Sequence, residues 1–201
     1  MKLSNRFSEA LVFAEQLHRN QARKGSGAPY MAHLLGVSSL VLEAGGDEDE
    51  AIAALLHDAV EDQGGLPTRD RIQDQFGDRV AGIVMACSDS TGTGPKPPWR
   101  DRKERYIAHL RTAPPSVRLV SMADKLYNLR SIVRDYRLMG DALWERFRGR
   151  RDGTLWYYRT LRDVFGVEHP LAQEFHRTLT TLNALIKDAE IKDADSLSPH
   201  P

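Results

Sequence analysis

The chain has 201 residues, with 28 Lys and Arg against 28 Asp and Glu, 7 His, 1 Cys, 41% hydrophobic and 28% charged residues. That length and apolar content suit one compact domain with a single core, well above the ~40 residues below which staples are needed. A formal net charge of zero removes the positive field that binding to a nucleic-acid polymer uses, lone Cys87 excludes an internal disulfide, and no run of about 18 apolar residues is present to span a membrane. Met1 to Arg6 turns polar before a signal-peptide stretch can form, so the expectation is a soluble cytoplasmic protein.

Phe7, Ala10, Leu11, Ala14, Leu17 and His18 recur at three- and four-residue steps after Ser4, predicting an amphipathic helix over roughly residues 5–19. Arg23-Lys24-Gly25-Ser26-Gly27-Ala28-Pro29 breaks it with a loop, and a second helix begins near Tyr30 and ends at Gly45-Gly46. Asp47 and Glu50 have capping-box spacing ahead of Ile52, Ala53, Leu55, Leu56 and Ala59, predicting a largely buried helix. It is expected to run through His57, Asp58, Glu61 and Asp62 and to stop at Gly64-Gly65.

Thr68 and Asp78 read as N-caps of two short helices. Ser88 to Pro98 is the least structured stretch, a candidate mobile lid. Helices follow over residues 100–111 and 115–138, the second with Pro115 in its first turn, then a short helix after Gly140 and two more over roughly 154–165 and 171–190. No segment alternates with period two between turn signals, so the fold class is all-α, with one domain over residues 1–192 and a frayed polar tail over 193–201.

The chemistry gathers around His57-Asp58. Neighbours on a helix differ by about 100° in direction, so this pair can hold an ion only if other helices complete the site. His33, on the preceding apolar helix, and Asp124, a carboxylate within the core-like stretch Val120 to Asn128, are suitable donors. Two His and two Asp form a thiolate-free N/O set suited to Mn²⁺, Fe²⁺, Co²⁺ or Zn²⁺ with open positions, which serves phosphoester hydrolysis. Glu61 and Asp62 follow one turn later, beside the ligand pair, where carboxylates can orient or deprotonate the attacking water.

A single His-Asp dipeptide is weak by itself, but a buried-looking Asp124 and a second acidic pair are costly to keep without a purpose. His33, His57-Asp58 and Asp124 resemble the metal signature of the HD-domain phosphohydrolases. The wording His57-Asp58-Ala59-Val60-Glu61-Asp62, with Gln21-Ala22-Arg23-Lys24, Pro29-Tyr30-Met31-Ala32-His33 and Ala123 to Arg130, is similar to the hydrolase domain of the RelA/SpoT homologues, in the stand-alone form called small alarmone hydrolases. The resemblance covers about residues 5–190.

It implies an all-helical HD-domain bundle, usually manganese-dependent, that removes pyrophosphate from the 3′ position of (p)ppGpp to give GDP or GTP. Carried over by position, it makes His33, His57, Asp58 and Asp124 the metal ligands and Glu61 with Asp62 the acidic pair that handles water. It puts Arg23 against the guanine, Lys24 towards phosphate and Asn128 near the ribose, and Tyr157 in the aromatic segment Trp156-Tyr157-Tyr158 that lines the pocket, with the inward tyrosine left open. Leu34 departs from the family's usual Pro, and the cations of Lys96 to Glu104 have no assigned phosphate contacts. His18, His109, His169, His176 and His200 receive no role, and Met85, Met122 and Met139 read as core filler. Two alternatives use the same centre: another nucleotide substrate (an adenine alarmone, NADPH or a nucleoside monophosphate), or a metal-bound nucleotide sensor without turnover, which the acidic pair argues against.

Overall fold

A computed structural model of the chain describes residues 2–90 and 96–196. In order it contains α1 (Asn5–His18), α2 (Met31–Glu43), α3 (Glu48–Leu56), α4 (Ala59–Asp62), α5 (Leu66–Phe76), α6 (Asp78–Cys87), α7 (Trp99–Thr112) and α8 (Pro115–Met139). A 3-10 segment (Gly140–Arg146), α9 (Arg150–Phe165) and α10 (Pro170–Ser196) follow. Among the described residues the one β-type pairing is an isolated bridge between Ala22 and Pro29, closing the loop ahead of α2, so the all-α expectation holds. Among them, too, no helix is long and apolar enough to cross a membrane.

At the centre lies α3. Ala51 to Leu56 are all buried, because a helix that is apolar on every side has no face to offer water. α1, α2, α6 and α8 enclose it, and burying Ile52, Leu55 and Leu56 contributes about 1.5–3 kcal/mol apiece. Its start is set by the expected reciprocal cap: Asp47 Oδ1 accepts from the Glu50 N–H at 3.0 Å, and Glu50 Oε2 accepts from the Asp47 N–H at 2.8 Å.

The 25-residue α8 runs beside α3 and packs on α2, α6 and α10 as well. Its approach to α2 depends on Gly36, where a Cβ would sit 2.0 Å from Tyr127 Cε2. The Tyr127 hydroxyl donates to the Ala32 carbonyl at 3.0 Å, which fastens the ring across α2. That close crossing brings His33 of α2 up to Asp124 of α8.

Several expected boundaries move. The helix of His57 does not continue to Gly64-Gly65: α3 stops at Leu56, and α4 starts afresh at Ala59. His57 Nδ1 bonds the Ala54 carbonyl at 2.8 Å, the oxygen an unbroken helix would offer to the Asp58 N–H. Thr68 is not an N-cap; the cap is Gly65 at φ 67°, a conformation natural to glycine, and the Thr68 hydroxyl donates back to the Gln63 carbonyl. Gly77, not Asp78, caps α6. α9 begins at Arg150 rather than 154, and α10 continues to Ser196, so the expected tail from Asp193 is helical at its start. Of the expected lid, residues 91–95 lie outside the described residues.

Candidate metal centre

Three separate stretches bring four candidate donors near one another, of which His33, His57 and Asp58 form a compact group and Asp124 reaches the two imidazoles. His33 comes from the first turns of α2, His57 and Asp58 from the break between α3 and α4, and Asp124 from the middle of α8. His33 Nε2 and His57 Nε2 are 3.3 Å apart. Asp58 Oδ2 lies 3.5 Å from His33 Nε2 and 3.1 Å from His57 Nε2, and Asp124 Oδ1 lies 3.4 and 3.6 Å from the same nitrogens. Ligands at about 2.0–2.2 Å from one ion, at tetrahedral to octahedral angles, stand about 3.0–3.5 Å apart. The spacings therefore fit donors around a shared cation, and His33, His57 and Asp58 meet the geometry of a metal cluster by themselves.

Through the break His57 (φ −59°, ψ −29°) and Asp58 (φ −97°, ψ −3°) keep near-helical backbone angles, so the two side chains approach the site from two flanks. The His57 Nδ1–H bond to the Ala54 carbonyl leaves Nε2 as the inward nitrogen, the orientation by which a ligating imidazole is normally held. Each carboxylate is likewise oriented: the Tyr30 hydroxyl donates to Asp58 Oδ2 at 2.6 Å, Asn128 Nδ2 donates to Asp124 Oδ1 at 2.6 Å, and Lys125 Nζ donates to Asp124 Oδ2. Burial works against charge on both carboxylates, yet His57 holds Asp58, and Lys125 and then His57 hold Asp124, well below the usual carboxylate range. The two carboxylates in turn hold His57 well above the ordinary imidazole value, so a cation arriving there displaces a proton.

A cavity of about 580 Å³ is lined by Asp58 and Asp124, while His33 and His57, at 1% and 2% exposure, are buried beside these carboxylates and do not line it. Glu61, Asp62, Arg23, Lys24, Asn128, Tyr157 and Tyr158 all line it. Glu61 and Asp62 nevertheless diverge, as adjacent helical residues must. Asp62 is exposed and accepts from Gln21 Nε2 at 2.7 Å, whereas Glu61 turns to Lys96, whose Nζ donates to Oε1 at 3.1 Å. Burial and the Asp89 carboxylate push Glu61 upward, against Lys96. Arg23 donates to Asn128 Oδ1 at 2.9 Å and stands 5.9 and 5.8 Å from the ring centres of Tyr30 and Tyr127. Lys24 is exposed at the rim. Both tyrosines face the cavity: the Tyr157 hydroxyl is buried without a partner, and Tyr158 stacks on Phe175 at 5.9 Å. Trp156 instead lies under Arg100.

Other lining residues receive no individual role from the sequence. Arg102, Lys103 and Asp89 lie in stretches that look like solvated charge and loop, yet Arg102 and Asp89 side chains are only 7% and 6% exposed. Trp99 forms the adjoining wall, its indole seated where a Cβ on Gly149 would be 2.7 Å from Cη2. Arg146 passes over Gly25, where a Cβ would lie 2.5 Å from Nη1. His18 is buried at 1% exposure, with Nδ1 at 2.7 Å from Gln21 Oε1 and its ring stacked on Tyr30 at 5.3 Å.

Comparison with known proteins gives a consistent picture. Residues 10–155 match the family described as HD domain. The chain is 40% identical over 129 residues to the guanosine-3′,5′-bis(diphosphate) 3′-pyrophosphohydrolase MESH1 of Xenopus tropicalis, covering 63% of this chain and 69% of that protein. The Homo sapiens MESH1 is 39% identical over 129 residues, with the same shares of the two chains, 63% and 69%. A solved structure described as a metazoan ortholog of SpoT that hydrolyses ppGpp and plays a role in starvation responses superimposes with a TM-score of 0.73 and 28% identity, over 90% of this chain and 97% of that one.

Proposed function

Since the chain belongs to the HD-domain family, we propose that it is a metal-dependent (p)ppGpp 3′-pyrophosphohydrolase, a cytoplasmic small alarmone hydrolase whose domain ends with α10. The observation that carries this reading is that two imidazoles and two carboxylates lie 3.1–3.6 Å apart, nitrogen to oxygen, with both carboxylates lining a cavity rich in cations. His33, His57, Asp58 and Asp124 would hold the ion, and a mixed N/O set without thiolates suits Mn²⁺. When bound, such an ion supplies Lewis-acid polarisation of a phosphoryl oxygen and activates water.

The cavity wall carries eight Lys and Arg against six Asp and Glu, so it is net positive before any metal enters. The cations fall into two groups. Lys96, Arg102 and Lys103 cluster with Glu61 and Asp89, and Arg23, Lys24 and Arg146 gather around the 21–29 loop. A nucleotide bearing diphosphates at both 3′ and 5′ positions presents two separated anionic groups and fits that division. Arg23, between Tyr30 and Tyr127, offers a flat guanidinium for the base; Asn128, bonded to both Arg23 and Asp124, sits where a ribose would join base and reacting phosphate. Tyr157 offers its free hydroxyl to the same cavity.

In the reaction the water oxygen bonds to the phosphorus nearest the ribose, the bond from that phosphorus to the 3′-oxygen breaks, and the 3′-oxygen leaves with a proton. Glu61 accepts the proton lost by water, Asp62 orders solvent at the rim, and the Lys96 group neutralises the pyrophosphate released. The test is incubation with ppGpp, pppApp and NADPH, each with Mn²⁺ or a chelator. Inorganic pyrophosphate from ppGpp, only with metal, is expected; orthophosphate from NADPH with ppGpp left intact would overturn the assignment.

A further inference from the structure

Next to Glu61 stands a buried carboxylate, Asp89, to which the reading above gives no role. Asp89, two residues beyond α6, has a carboxylate only 6% exposed, yet it faces the cavity. Arg102 Nη1 donates to both of its oxygens at 2.6 Å, and Lys103 Nζ donates to Oδ2 at 2.8 Å. Its own backbone N–H points at Glu61 Oε2, 3.4 Å away. Two adjacent residues of α7 thus clamp Asp89, and Asp89 abuts the carboxylate proposed to accept the water proton.

We infer that Asp89 is a positioning residue for Glu61, holding its carboxylate towards the cavity and keeping it basic enough to take a proton from water. The inference rests on the reading that Glu61 is that acceptor. Two carboxylates side by side cannot share their protons evenly when one is clamped by cations. Burial works against ionisation of Asp89, but Lys103, then the Glu61 side chain and then Arg102 bring it to about 2, so it keeps its charge. That charge, with burial, drives Glu61 the other way. The charged groups around Glu61 are Asp89 and Lys96 after α6, Arg102 and Lys103 on α7, Asp124 and Lys125 on α8, and Asp58 and Asp62 along its own turn. Asp89 is held next to Glu61 by its backbone N–H, which donates to Glu61 Oε2 at 3.4 Å. Removing its charge also leaves Arg102 and Lys103 uncompensated, which lowers the basicity of Glu61 further.

The test compares Asp89→Asn, which keeps the backbone donor and shape, with Asp89→Glu, which keeps the charge. The first readout needs no turnover: titration of the Glu61 carboxyl by carbon-13 NMR in the metal-free protein, with melting curves to show that each variant is folded. Asp89→Asn should move the Glu61 midpoint down by about one pH unit, and Asp89→Glu should restore it. With Mn²⁺ and ppGpp, Asp89→Asn should lower kcat about tenfold with KM and metal content little changed, and should move the acidic limb of the kcat profile to lower pH. An unmoved Glu61 midpoint in folded Asp89→Asn overturns the inference, as does a pH-independent loss that Asp89→Glu fails to recover. If neither wild type nor variant turns over ppGpp, the functional reading fails while the titration still decides the role of Asp89.

Discussion

Replacing Gly36 by alanine tests how the metal centre is assembled, because Gly36 touches no ligand. A Cβ at this position would lie 2.0 Å from Tyr127 Cε2, 2.5 Å from Cδ2 and 2.9 Å from Cζ, whereas ordinary carbon contacts begin near about 3.5 Å. Some 1.5 Å of separation must be found. The ring has little freedom to give it: its hydroxyl is tied to the Ala32 carbonyl, and its face lies 5.1 Å from the His33 ring. Either α2 moves off α8 or the ring presses on His33, and both disturb the 3.4 Å spacing between His33 Nε2 and Asp124 Oδ1. Widening that spacing by about an ångström takes it outside the range that one ion can bridge. Overpacking of this kind costs about 1–3 kcal/mol, or about 2–4 °C in Tm per kcal/mol in a chain of this size. Mn²⁺ affinity, measured by calorimetry, should fall about 10- to 100-fold, the size of effect seen when the supports of metal ligands are lost. A second substitution, Tyr127→Ala, should recover part of the lost affinity by removing the obstructing ring. Wild-type affinity and Tm in Gly36→Ala would refute the idea that the α2–α8 contact sets the donor spacing.

Asp58→Ala should lose bound metal and activity together, whereas Glu61→Gln should keep metal, measured by elemental analysis, and lose turnover by about 10²- to 10⁴-fold. Chelation should lower Tm, and Mn²⁺ at 100 times its dissociation constant should raise stability by about 2.7 kcal/mol over the metal-free protein; a Tm indifferent to metal would count against the four-ligand centre. Burial pushes the Cys87 thiol up to about 11, so thiolate is scarce at pH 8. Alkylation of the folded protein should therefore be slow at pH 8 and quicken as pH rises towards 11, and equally rapid labelling of folded and urea-unfolded protein at pH 8 would contradict the raised thiol value of this half-buried residue.

Helix existence was readable from apolar periodicity, and the Asp47–Glu50 cap from spacing, because both depend on residues within four positions of each other. Candidate donors stood out too, since a carboxylate such as Asp124 in an apolar stretch is costly without a partner. Local pattern failed at His57, where a side chain takes a backbone carbonyl and ends the helix early. It failed again at Asp89, Arg102 and Lys103, which look like ordinary surface charge until α7 folds against the end of α6.

The sequence by itself determined an all-helical chain with a thiolate-free donor set, because helix periodicity and ligand chemistry are properties of residue type and near neighbours. Only the tertiary structure decided that His33, His57 and Asp58 stand close enough to hold one ion, with Asp124 Oδ1 at 3.4 and 3.6 Å from the two imidazoles, and that Glu61 looks towards Asp89 while Asp62 looks towards Gln21. Those facts depend on helix crossings set by side-chain volume, such as the ring of Tyr127 against Gly36, and volume acts between residues that lie far apart in the chain.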